Sequence, residues 1–176
     1  MLEHTPEAAE AICRPPSCIA TFSISSLPAT RPTLVAAFAL SCAACGRSAF
    51  EILAYPRRVG SSDYLDMKSA DVFYRPPHRL RCVSCKKATR LFDARKQGYD
   101  GVLNGGCSCE SGLMREAPIP GAFRVVASFF YNIELGELQE LAAEANVMPS
   151  DLFDAFAIVG TPIDGGPDLV LDYECA

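Results

Sequence analysis

The sequence predicts a mainly β protein with a minor helical insertion, arranged as two tandem lobes of which the second is a degenerate version of the first. Three observations carry this. Short runs rich in β-branched and aromatic residues recur between Gly, Pro and Ser breaks, as at residues 34–40, 50–55 and 123–131. Two Cys-x-x-Cys pairs, Cys42/Cys45 and Cys82/Cys85, each stand between two such runs. One stretch, from Glu137 to Val147, has the spacing of an amphipathic helix.

Composition sets the frame for these elements. The chain has 176 residues, 49% hydrophobic and 21% charged, which is enough apolar surface to bury a core and excludes a disordered or collagen-like polymer. A net charge of −5 argues against a chain that is cationic throughout. The longest uncharged apolar run, residues 32–40, is far shorter than the roughly 18–20 residues a membrane-spanning helix needs, so no membrane association is expected. Nine cysteines without a secretory leader read as reduced thiols and metal ligands in a cytoplasmic protein, more than as a disulfide framework.

Residues 1–31 hold Pro6, Pro15, Pro16 and Pro28 among clustered Ser and Thr with no sustained period, and are expected to be a disordered leader. Cys13 and Cys18 inside it read as unpaired thiols. The first lobe, residues 32–104, has a strand over 34–40 entering the first cysteine pair and one over 50–55 leaving it and stopping at Pro56. Residues 72–74 and 78–81 enter the second pair, and 88–92 leave it. Two hairpin tips of this kind, each offering two sulfurs across a tight turn, can meet to give the tetrahedral thiolate sphere that Zn²⁺ prefers. The arrangement resembles the zinc-ribbon fold group, and the resemblance implies one structural Zn²⁺ held by Cys42, Cys45, Cys82 and Cys85.

Cys107 and Cys109 offer a rival. Thirty-six residues separate Cys45 from Cys82, whereas twenty-one separate Cys85 from Cys107, so Cys82, Cys85, Cys107 and Cys109 are an alternative ligand set. The first set is preferred because both of its pairs sit between strands. An offset of eighty places Cys82 on Pro162 and Cys85 on Gly165, so residues 105–176 read as a second ribbon that lost one metal knuckle, with Cys107 and Cys109 in the place of Cys42 and Cys45 as a relict or second metal site. Residues 161–166 become a metal-free turn on this reading.

Charge is divided along the chain. Residues 42–105 carry twelve basic and six acidic side chains, and residues 106–176 carry two basic and twelve acidic. Arg75, Arg79, Arg81, Lys86, Lys87 and Arg90 gather around the second cysteine pair. They are candidate contacts for nucleic acid or an acidic partner, and equally a counter-charge for a Zn²⁺ that four thiolates leave at −2. Residues 140–152 resemble a bacterial helix-turn-helix, but the candidate recognition helix carries Asp151 and Asp154 and no cation, so an amphipathic helix packing Leu138, Leu141 and Ala145 on the sheet is preferred.

No catalytic motif is found. Of two histidines, His4 lies in the leader and His78 beside Pro77, and no phosphate loop, nucleophile elbow or HExxH is present. Paired Cys-x-x-Cys sets fill all four zinc positions, which disfavours hydrolytic zinc. The sequence thus predicts a non-enzymatic zinc-binding interaction module with a protein partner. A nucleic-acid-binding ribbon is the first alternative and a dithiol redox protein the second.

Overall fold

Phe123, Val125, Ala127, Phe129 and Tyr131 alternate with more exposed residues, which is the period of a strand with one face on the core. The computed structural model, which describes residues 14–27, 34–58, 72–91, 116–131 and 135–174, makes this strand the centre of the fold. The strands are β1 (Ser23–Leu27), β2 (Leu34–Ser41), β3 (Phe50–Arg58), β4 (Val72–Cys82), β5 (Ala88–Arg90), β6 (Ala117–Pro118), β7 (Phe123–Tyr131), β8 (Ala155–Pro162) and β9 (Leu169–Glu174). One helix, α1 (Leu135–Ala145), stands between β7 and β8. All pairings are antiparallel. The predicted class, mainly β with a minor helical element, is the observed one.

The strands run in the order β1-β2-β7-β3-β4-β5, with β8 and then β9 continuing from the other edge of β7 and β6 pairing with β3. The two predicted segments therefore share one curled sheet, because β7, from the second, pairs with both β2 and β3 of the first. A correspondence relates the segments all the same. Phe50 pairs with Cys82 as Phe123 pairs with Pro162. Arg79 pairs with Arg90 as Val159 pairs with Val170. Ala39 pairs with Val126 as Pro118 pairs with Leu53, so the leading strand of each segment lies on the central strand of the other. Phe50 and Phe123, the corresponding first residues of β3 and β7, pair with each other.

The core is the inner face of this sheet. Phe38, Phe50, Phe129 and Phe156 are its largest fully buried side chains, and burial of each contributes about 1.5–3 kcal/mol. Phe129 is packed by Phe153 at 4.9 Å and by Phe156 at 5.3 Å between ring centroids, distances typical of favourable aromatic contact.

Four expectations are corrected. Residues 14–27 are not a disordered leader: Ile19 and Phe22 enter the core, Phe22 packs edge-on against Phe50, and β1 pairs with β2. The backbone amide of Ser17 donates to Asp151 Oδ1 at 2.6 Å, fixing this segment to the short 3-10 turn Pro149–Asp151. Prolines do not end strands where expected. β3 continues through Pro56, which keeps its place opposite Tyr74, and β4 runs unbroken through Pro76 and Pro77, which the register shift between Leu53 and Tyr55 takes out of regular pairing. On α1, Leu138 and Ala142 are the buried pair, four residues apart, while Leu141 and Ala145 are exposed. The place of the first cysteine knuckle in the second segment is taken by residues 119–122, where the Ile119 amide donates to the Ile52 carbonyl. Cys107 and Cys109 lie outside the described residues.

Candidate metal centre

The end of β2 delivers Cys42 to the edge of the core, and the chain must then turn back to start β3. It does so in a knuckle in which the Cys42 amide donates to the Arg47 carbonyl at 2.8 Å and the Gly46 amide to the Cys42 carbonyl at 2.7 Å. The turn needs a left-handed residue, which Gly46 supplies at φ 71°. Between β4 and β5 the same turn recurs: the Cys82 amide donates to the Lys87 carbonyl and the Lys86 amide to the Cys82 carbonyl, both at 2.9 Å. Here the left-handed position is held by Lys86 at φ 61°.

Strand pairing brings the two knuckles together. Phe50 is opposite Cys82, and the Val83 amide donates to the Ala49 carbonyl at 3.0 Å, so the outgoing side of the first knuckle is tied to the second. The sulfur of Cys42 then lies 3.6 Å from that of Cys85, and Cys45 lies 3.5 Å from Cys82. All four sulfurs fall within 4.8 Å of one another. A tetrahedron with metal–sulfur bonds of about 2.3 Å has sulfur–sulfur edges of about 3.8 Å, so a small contraction closes this group on a metal. Cys42 and Cys82 are buried, and Cys45 and Cys85 face solvent.

The thiols are unequal. Burial opposes ionisation of Cys82, but the amides of Cys85 and Ser84 together with the Cys45 sulfur outweigh it and bring the thiol down to about 7. Cys42 is lowered in the same way, the amides of Ala44 and Cys45 and the Cys85 thiol overcoming burial. Cys45 goes the other way, to about 11: the Arg47 amide favours its thiolate, yet the adjoining Cys82 sulfur and burial prevail. Two sulfurs inclined to be thiolates beside one inclined to remain a thiol is a state that a bound cation would even out.

Comparison with protein-family models found no match, and neither the curated proteins nor the solved structures gave one. What can be said of the site therefore rests on its geometry: these four cysteines form a possible metal site.

The other predicted residues separate. Arg79 Nη1 lies 3.1 Å from Glu116 and Arg81 Nε lies 2.6 Å from Glu51, so both are engaged inside the protein. The Arg81 guanidinium holds the Glu51 carboxyl below its ordinary value. Lys86, Lys87 and Arg90 are exposed, and the side chain of Arg75 lies outside the described part. No aromatic among the described side chains is exposed to stack on a base, and the side chains of Phe73, Tyr74 and Phe92 lie outside them. Each cysteine pair leads into a strand and neither opens a helix, so neither has the helix N-terminus that lowers a reactive redox thiol. No helix among the described residues is long and apolar enough to cross a membrane.

Sequence reasoning gave no weight to His78. It is fully buried on β4, opposite Leu91, whose amide donates to the His78 carbonyl at 2.9 Å. Burial lowers its pKa to about 3, against a hydrogen bond to the Leu53 backbone. The second segment places Ile158 opposite Leu171 at the corresponding pairing. Only the alternation with Leu80 hints at an inward His78 in the sequence.

Proposed function

We propose that the protein is a non-enzymatic, zinc-binding interaction module of the zinc-ribbon kind, in which one Zn²⁺ on Cys42, Cys45, Cys82 and Cys85 pins the β2–β3 connection to the β4–β5 turn. The observation that carries this is the convergence of four sulfurs within 4.8 Å on two knuckles closed by the same pair of backbone hydrogen bonds. Four thiolates suit Zn²⁺ and leave no open position, so the ion would stiffen the corner without activating water. Reduced thiols of this kind are at home in the cytoplasm.

Native mass spectrometry before and after a chelator, with circular dichroism in parallel, tests the reading. One zinc per chain is expected, lost on chelation together with part of the β signal and lost in Cys82→Ser. Metal-free protein purified under reducing, metal-replete conditions overturns it.

A further inference from the structure

The geometry points to the metal corner as a docking face for an acidic, extended protein segment, presented by Arg47, Lys86 and Lys87. This inference rests on the metal reading above, and the sheet supplies its own comparison. The turn that corresponds to the second knuckle, residues 162–166, keeps one tie of its backbone scheme, the Ile163 amide donating to the Ala122 carbonyl at 2.9 Å as Val83 donates to Ala49, and closes differently, with the Gly165 amide donating to the Pro162 carbonyl. That turn holds no sulfur and no cation. Its exposed residues include Asp164, Gly165 and Gly166, and the exposed Asp168 follows it. The two corners join corresponding strands and differ in the chemistry they show to solvent, cations at one and a carboxylate at the other.

Beyond offsetting the −2 charge of a zinc held by four thiolates, the three cations have no close acidic partner among the described residues. Arg79 and Arg81 are paired with Glu116 and Glu51, whereas Arg47, Lys86 and Lys87 are exposed and form no ion pair among the described residues. Lys86 holds its place at some cost to the backbone. Its φ of 61° is a conformation that the sister knuckle gives to Gly46 and the metal-free turn gives to Gly165 and Gly166. A non-glycine residue in that conformation is strained, and strain of this kind collects at functional positions. At Gly46 a Cβ would meet nothing within 4 Å, so a side chain at such a knuckle position projects into open space, where a partner can reach it.

The chemistry of the partner follows from what surrounds the patch. It is small, and the protein beyond it is acidic: Asp164 and Asp168 on the opposite turn and Glu137, Glu140 and Glu144 on α1 are exposed. A long polyanion would run from the patch into repulsion, while a short acidic segment would not. Carboxylates of a flexible chain can meet three separate cations without a fixed spacing.

The full-length, zinc-loaded chain is titrated at low salt with a fluorescently labelled, glutamate-rich peptide and, separately, with a single-stranded oligonucleotide of the same net charge. Saturable peptide binding is expected, weakening as salt is added. It should fall at least about tenfold in the Arg47→Glu/Lys86→Glu/Lys87→Glu variant, while native mass spectrometry still finds one metal. Should that variant misfold, Lys86→Gly gives the reading instead, with weaker peptide binding and unchanged metal content. Equal binding by wild type and variant, no binding by the metal-loaded wild type, or tighter binding of the oligonucleotide overturns the docking face. A wild-type chain that carries no metal yet binds the peptide overturns the metal reading alone.

Discussion

Phe50 and Phe123 pair with each other at the one point where β3 meets β7. Each begins a nine-residue strand, and each is opposite the last residue of the next long strand, Cys82 for Phe50 and Pro162 for Phe123. The pair is the pivot about which the pairings of the two segments correspond, and several predictions use that correspondence.

Metal removal should act on one corner and spare the other. Chelation is expected to speed hydrogen exchange at the amides of Cys42, Val83 and Lys86, which close the knuckles, and to leave Ile163 protected at the corresponding turn. Equal loss of protection at both corners would mean that the ion holds the whole sheet.

His78 makes stability depend on acid. Its pKa is near 3 in the folded chain against an ordinary value of 6.5, so between those values the unfolded chain binds the proton and the folded chain does not. Stability is therefore fully present above pH 6.5 and lost as pH falls toward 3, by roughly 1.4 kcal/mol per pH unit. His78→Ile adopts the residue of the corresponding position. In urea melts between neutral and acid pH its curve should be flatter than that of wild type; a constant offset with parallel slopes would exclude His78 as the source.

Gly160 is held to glycine by its neighbours. A Cβ there would lie 3.1 Å from Phe123 Cδ1 and 3.2 Å from Ile52 Cδ1, both in the core. Gly160→Ala should cost about 1–3 kcal/mol, since neither ring nor branched chain can retreat without repacking. Thermal or urea unfolding measures it, and a neutral result would show that Phe123 has room to move.

Lys86→Gly should do the opposite. Relief of the left-handed backbone is expected to stabilise the zinc-loaded protein by up to about 1 kcal/mol. A loss of stability instead would show that the Lys86 side chain supports the corner itself.

Much of this was legible because it is written in local pattern. The strands at β2, β3 and β7 and the helix followed from runs of apolar residues, and the left-handed end of α1 was visible in Asn146, which has φ 54°. The four cysteines were visible from their pairing and from the strands beside them. Three things were not. Strand order depends on contacts between distant residues, so nothing near Phe123 announces that β7 will pair with both β2 and β3. Pro76 and Pro77 read as a break, and only the register shift opposite them lets β4 continue. Ile19 and Phe22 stand alone among Pro, Ser and Thr, too few to show a period, and their role is fixed by the cavity they fill rather than by their neighbours in sequence.

The exchange of leading strands between the segments has a side that lies in time rather than space. A ribosome releases Cys85 well before Phe123, so both knuckles and the β3–β4 ladder between them are complete while the strand that will cover β2 is still unmade. On the metal reading proposed above, capture of the ion can thus precede closure of the sheet, giving the nascent chain an anchored corner on which to wait for β7.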